Sequence, residues 1–192
     1  MPGASRLCII AALLLGGCAT DGPKVSEFLD LQTGVTVRAM ASPFVYMRDF
    51  QGSADSGDDY VSVGAVDVNK MGTHTYYLAV VSWIRTDHSG AAAPTVGRAD
   101  QIVLVIGDQR RELTFATHES RSLSVTKPPF RPAWGYSGES WYVITPAELR
   151  ALAVAPPDSI ELVTDGRTLP YIVLNRAHAA LRDFIRDIPD DE

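Results

Sequence analysis

Four histidines, a set of aspartates and one serine set among glycines are the side chains from which this chain could build reactive chemistry. The histidines are His74, His88, His118 and His178, and no two stand four apart, the spacing that puts two metal ligands on one helical face. His118-Glu119 runs on into Ser120-Arg121-Ser122, without the second histidine that a zinc-protease helix requires. His74 and His88 flank the apolar stretch 76–84 and could meet across a hairpin. Any histidine and carboxylate site must therefore be assembled in space. Gly135-Tyr136-Ser137-Gly138-Glu139 falls short of a nucleophile elbow, because Glu139 stands where that turn needs its second glycine. Asp49, Asp55, Asp58 and Asp59 lie in a Gly- and Ser-rich stretch that offers oxygen ligands to calcium. Their spacing lacks the alternation of a calcium loop, and a solvated hairpin loop accounts for them. No catalytic residue, metal site or cofactor is assigned from these patterns.

The segment Lys127 to Tyr142 gathers Phe130, Trp134, Tyr136, Trp141 and Tyr142 among prolines and glycines, with Lys127 and Arg131 beside them. Prolines stiffen a loop, and aromatic rings give broad contact area at low entropic cost. These five rings form a ligand or partner loop, stacking on sugars or gripping a protein, or they fold back and plug the open end of the domain. Both readings stand on the same residues.

The N-terminus carries a different signal. Arg6 precedes an apolar run, Leu7 to Leu15, which ends in Leu15-Gly16-Gly17-Cys18. A basic residue, a short apolar core and small residues before a cut form a secretory signal. The run is about nine residues, against about 20 for a membrane-crossing helix. Leu15-Gly16-Gly17-Cys18 resembles the lipobox of bacterial lipoproteins. The resemblance implies that Cys18 receives a thioether-linked diacylglycerol and becomes the mature N-terminus. It further implies an outer-membrane address in a diderm cell, because Ala19, not aspartate, follows the cysteine. Residues 1–17 are then a signal peptide, 18–27 a lipidated tether and 28–192 a single β-rich globular domain. Cys8 leaves with the signal and Cys18 is alkylated, so no disulfide, thiolate nucleophile or cysteine-bound metal remains.

Composition narrows the partners. With 46% hydrophobic residues the chain can build a core, and 175 residues after Gly17 suit one domain. Formal charge is −6. Cleavage removes Arg6 alone among charged residues, leaving sixteen basic against 23 acidic side chains. A net acidic domain without a basic patch disfavours nucleic acid, and anionic headgroups repel it. Membrane attachment falls to the lipid on Cys18. The remaining partners that fit are another envelope protein or a cell-wall glycan.

The elements that must position these residues are mostly strands. Val35 to Met40 alternates with apolar odd positions, and Phe44 to Phe50 follows Pro43. Tyr60 to Asn69 switches phase: Val61 and Val63 are apolar at odd positions, Val66 and Val68 at even ones. A bulge at Gly64-Ala65 would restore the face. Thr73 to Arg85 is apolar on both faces and reads as a central strand. Gln101 to Ile106 and Glu112 to Ala116 flank a turn at 107–110, and Ser122 to Thr126 and Trp141 to Ile144 read as strands. Thr145-Pro146-Ala147-Glu148 has capping-box spacing for a helix with Leu149, Leu152 and Ala153 inward, stopped by Pro156-Pro157. Ser159 to Thr164 and Thr168 to Leu174 form a hairpin around Asp165-Gly166. A second helix begins with Asn175 as N-cap and carries an apolar stripe through Ile188. The fold class is β-rich α+β, a mostly antiparallel β-sandwich or partly open barrel with two short helices, the C-terminal one packed on the sheet.

The function that fits is a lipid-anchored envelope lipoprotein, a binding or structural module on the periplasmic face of the membrane. The alternative is a periplasm-facing hydrolase whose His and carboxylate residues converge in one cleft.

Overall fold

The computed structural model describes residues 24–49, 57–86, 100–130, 136–164 and 166–189, and all structural statements concern these residues. The elements are β1 (Val25–Asp30), β2 (Val35–Met40), β3 (Phe44–Asp49), β4 (Gly57–Lys70), β5 (Thr73–Thr86), β6 (Gln101–Ile106), β7 (Gln109–Glu112) and β8 (Thr114–Thr117). A 3-10 turn, Ser120–Leu123, precedes β9 (Tyr136–Val143), α1 (Pro146–Val154), β10 (Ile160–Thr164), β11 (Arg167–Thr168), β12 (Ile172–Val173) and α2 (His178–Ile185). The result is a β-rich α+β fold of two antiparallel sheets, neither closed into a barrel. One sheet follows the order β1-β2-β4-β5-β9-β8, with β3 paired along the remaining part of β4 and β12 paired with β3. The other runs β11-β10-β6-β7.

The β4–β5 hairpin is the axis of the larger sheet. Its fourteen residue pairs, from Gly57↔Thr86 to Lys70↔Thr73, run without a register shift. On its other edge β4 changes partner, pairing with β3 through Val63↔Phe44 and with β2 from Val66↔Ala39 onward. Gly64 and Ala65 lie at that change, and Ala65 N–H points at Met40 Sδ, 3.3 Å away. The phase switch is therefore not a bulge. Both faces of β4 are buried, and each apolar phase feeds a different core. Val61, Val63 and Ala65 enter a core between the larger sheet, the smaller sheet and both helices, with Ile102, Leu104, Leu149 and Phe184. Val66 and Val68 enter a second core on the opposite face, with Val37, Tyr77, Val125, Phe130 and Trp141.

The segment after β8 covers that second face. The expected strand at Ser122 to Thr126 is instead the 3-10 turn and an irregular stretch. Ser124 takes a left-handed backbone, and Asp30 Oδ2 accepts hydrogen bonds from Thr126 N–H at 2.6 Å and Oγ1 at 2.7 Å. These bonds to Asp30, 96 residues away in the chain, hold the segment off any ladder. Gly64 makes room for the cover: a Cβ there would stand 2.8 Å from Phe130 Cε1 and 3.2 Å from Pro43 Cβ.

Other departures also turn on single residues and their partners. The strand expected over Glu112 to Ala116 divides at Leu113, whose side chain enters the first core while its N–H bonds Ile102 O at 2.9 Å, so β7 and β8 belong to different sheets. The second arm of the 159–174 hairpin also divides, with β11 on β10 and β12 on β3, and Pro170 falls in the gap. Asn175 does not cap α2, which starts at His178 after Ala177. Its side chain extends the β12–β3 ladder instead, accepting from Val45 N–H at 2.8 Å and donating to Pro43 O at 2.9 Å. β1 begins at Val25, so Val25, Ser26 and Glu27 belong to the sheet and not to the tether. Helix α1 forms as read, with Thr145 and Glu148 capping each other reciprocally. No helix of the described residues is long and apolar enough to cross a membrane.

Gly64→Ala tests the seat of Phe130. Overpacking at this contact is expected to lower stability by about 1 to 3 kcal/mol, read by urea denaturation. A glycine required only for backbone freedom would give a far smaller loss, since no positive φ is needed here.

Candidate functional site

Beyond Ala65 the inward face of β4 turns from apolar to polar, at Asp67 and Asn69. The neighbouring strands turn with it. Glu27 on β1 pairs in register with Arg38 on β2, Arg38 with Asp67 on β4, and Asp67 with Tyr76 on β5. The next row on that face is Thr36, Asn69 and His74. The segment after α2 closes over these rows with Asp187, Ile188 and Pro189, leaving a cleft of about 290 Å³.

Within it, His74 Nδ1 lies 2.8 Å from Asp67 Oδ2. The Asp67 side chain is 7% exposed and that of His74 is 44% exposed, so a buried carboxylate orients an accessible imidazole. An ionised carboxylate only accepts, so in this contact the hydrogen lies on Nδ1. Burial pushes the Asp67 carboxyl above its ordinary value, opposed by the hydrogen bond and charge of His74 and by Arg38. Glu27 adds to the rise. The rings of His74 and Tyr76 lie nearly parallel, 6.2 Å apart. Arg38 secures the far wall: its Nη2 is 2.8 Å from Asp187 Oδ2, and its guanidinium sits 4.8 Å over the ring of Phe184. Lys24 Nζ adds a contact to Asp183 at 3.5 Å.

The other histidines lie elsewhere. His118 Nδ1 is 2.9 Å from Ser140 Oγ, and Ser140 pairs with Val80, about 20 Å along β5 from His74 at 3.4 Å per residue. Ser140 is buried, which denies a substrate access to its hydroxyl. His178 packs edge-on against Phe44. His88 lies outside the described residues, and His74, His118 and His178 occupy three separate places. Ser137 sits inside β9, not on a strand-to-helix turn. Among the described residues no three of His, Cys, Asp and Glu are placed to hold a metal ion.

Of the aromatic segment, Phe130 and Trp141 are in the second core and Tyr142 in the first, so their faces are occupied within the domain. Tyr136 contributes its backbone to β9 opposite Trp83. Trp134, Asp55 and Cys18 lie outside the described residues. Asp59 is a correction to the solvated-loop reading: it stands in β4, fully buried, with Oδ2 bonded by the Tyr171 hydroxyl and by Arg48 Nη2 at 3.0 Å. Burial pushes its carboxyl up, against the opposing effects of Tyr171 and Arg48.

No family model, curated protein or solved structure matches the chain. The cleft residues Glu27, Arg38, Asp67, Tyr76 and Asp187 carry no motif. Their one trace in the sequence is the phase switch at Gly64-Ala65, which marks where a core-lining face becomes a cleft-lining one.

Three substitutions at and beside the buried carboxylates test their roles. A carboxyl whose pKa rises on folding keeps its proton to higher pH in the folded chain than in the unfolded one. Its contribution is greatest below the unfolded value of about 3.9 and is lost as pH rises through the folded value. Asp67→Asn is therefore expected to flatten the fall of stability with rising pH above about pH 4, read by urea denaturation at several pH values; an unchanged slope contradicts this. Asp59→Ala, which removes the buried carboxylate that Arg48 and the Tyr171 hydroxyl both bond, is expected to cost about 3 to 5 kcal/mol. Tyr171→Phe is expected to cost about 1 to 3 kcal/mol in the same assay.

Proposed function

We propose that this chain is a lipid-anchored envelope lipoprotein that acts as a binding module on the periplasmic face of the membrane. The observation that carries this reading is the Leu15-Gly16-Gly17-Cys18 sequence at the end of the apolar run from Leu7. Diacylglycerol on Cys18, with further acylation, would hold the protein firmly, since one chain alone binds a bilayer only marginally. Ala19 favours the outer membrane. β1 opens at Val25, seven residues beyond Cys18, a reach of about 25 Å when extended. That keeps the domain close to the bilayer, with Glu27 of the cleft on the same strand.

The cleft supports the binding part of the reading. It is concave and carries convergent polar groups, the usual form of a small-ligand site. Such a site suits a soluble ligand, a glycan group or a side chain of another envelope protein. One observation favours a second reading, a periplasm-facing hydrolase: the Asp67–His74 contact at 2.8 Å. An imidazole held through Nδ1 can take a proton from water at Nε2. The two readings part on whether a bound ligand leaves the cleft chemically changed.

Lipid anchoring is tested by Cys18→Ala in cells fed an alkyne-tagged fatty acid. Wild-type protein is expected to carry the tag and to partition with membranes. The variant is expected to remain an untagged precursor that keeps residues 1–17. Tagging of the variant to the wild-type level would overturn the anchor.

A further inference from the structure

Two neighbouring hairpins leave the larger sheet at the same end. Thr36 pairs with Asn69, so the β1–β2 turn at 31–34 and the β4–β5 turn at Met71-Gly72 project beyond one row. Each turn presents a large apolar side chain: Leu31 is 87% exposed and Met71 is 95% exposed. Leu29, which pairs with Thr36, is exposed beside them. Lys70 pairs with Thr73, and φ is positive at both Met71 and Gly72, which is the two-residue turn that Asn-Gly or Asp-Gly fills. A methionine there is strained by its left-handed backbone and regains no packing within the domain. Both turns are held in place. Asp30 O accepts from Gly34 N–H at 2.7 Å, Thr33 Oγ1 donates to Ser124 O at 2.6 Å, and Asn69 Oδ1 accepts from Gly72 N–H at 2.8 Å.

The chain is acidic overall, but this end carries exposed lysines. Lys70 adjoins Met71, and Lys127 follows Thr126, which bonds the buried Asp30. Along these strands the next carboxylates, Glu27 and Asp67, stand four positions behind Leu31 and Met71. That is about 14 Å at 3.4 Å per residue, beyond the screening length of about 8 Å. Two hairpin tips are too small for a protein partner, since stable protein interfaces bury about 1,200 to 2,000 Å². A bilayer interface takes apolar side chains with basic neighbours without needing such an area. A tether also turns a weak contact into an intramolecular one. Leu31 lies six positions from Val25, about 20 Å along the strand. The seven residues from Cys18 to Val25 reach about 25 Å, enough to run back and bring the lipid level with the tips.

We propose that Leu31 and Met71 dip into the same bilayer that holds the lipid on Cys18, with Lys70 and Lys127 at its phosphate headgroups. The proposal rests on the lipid-anchor reading and adds a second contact, which stands the domain on this end of its larger sheet.

The test uses the full-length lipidated protein in vesicles of phosphatidylethanolamine and phosphatidylglycerol, with and without brominated phosphatidylcholine. Bromine on the acyl chains quenches tryptophan that enters the bilayer. The emission of the parent chain is subtracted; its Trp83 and Trp141 are buried. Leu31→Trp and Met71→Trp are each expected to add emission that the brominated lipid quenches. Ile172→Trp controls for the affinity of tryptophan itself for lipid. Ile172 is exposed, and it pairs with Met47, which pairs with Tyr60, ten positions along β4 from Lys70. Its added emission is expected to stay unquenched. Met71→Asp suits the turn and opposes insertion, so adding it to Leu31→Trp is expected to reduce the quenching. Thermal melting reports whether each variant folds, and Leu31→Trp carries the test if Met71→Trp does not. Unquenched tips, quenching no greater than at Ile172→Trp, or quenching untouched by Met71→Asp each overturns the proposal. The fatty-acid tag on Cys18 is read separately. Unquenched tips with the tag intact remove the tip contact alone, and a missing tag with quenched tips removes the anchor alone.

Discussion

A strand buried on both faces has no solvent side on which to place residues that do not fit, and β4 is such a strand through Val61 to Val68. Every side chain there must suit one of two cores, and the unbroken ladder to β5 decides which. A slip of one residue would exchange the faces, sending Asp67 into the second core and Val66 and Val68 toward the cleft. The partner change at Gly64-Ala65 lets a fourteen-residue strand serve both β3 and β2 without bending out of the sheet. Gly64 also admits Phe130, which seals the second core, so one small residue serves the sheet edge and the layer above it.

The charged end of the same face shows how a polar opening is kept beside a dry core. Arg38 spans the boundary, its guanidinium over Phe184 on the core side and its Nη2 on Asp187 at the rim. Because a planar cation can stack and donate at once, it ties α2 to the sheet without filling the space beneath. Asp67 pays for its position with a raised pKa, and His74 returns part of that cost through a single hydrogen bond. The Arg48–Asp59–Tyr171 cluster repeats the same chemistry toward the opposite end of β4. There the burial joins β3, β4 and the segment before β12. Similar charges thus serve a cavity in one place and a closed junction in the other.

Much of the fold was legible in the sequence because it depends on local periodicity. The alternation at Val35 to Met40, the two-faced apolar run of β5 and the capping box of α1 are signals carried within a few residues. What escaped depends on partners far along the chain. Asn175 looks like a helix cap by type and place, but its amide fits the β3 backbone some 130 residues away. Leu113 interrupts no pattern, yet the core position it fills divides one strand into two. The cleft was the least legible part, because Glu27, Arg38, Asp67 and Asp187 come from three strands and the segment after α2. Only the reversal of phase in β4 hinted at it, and a bulge was the simpler account of that reversal. Among the aromatics, Trp141 and Tyr142 read both as members of the aromatic segment and as the start of a strand, and strand pairing with β5 draws both inward.

The single-residue passage at Leu113 sets a limit on how the two sheets can diverge in length. The chain leaves β7 at Glu112 and enters β8 at Thr114 with no spare residue between them. One added or deleted residue there would turn the side chains of the following strand to the wrong face, or pull Leu113 out of the core. The two-residue turn at Gly107-Asp108 and the exposed turn at 31–34 carry no such penalty, since slack inserted in them is absorbed in solvent. Length variation in this fold is therefore confined to its rims, and the join between its sheets is the point at which the chain must keep count.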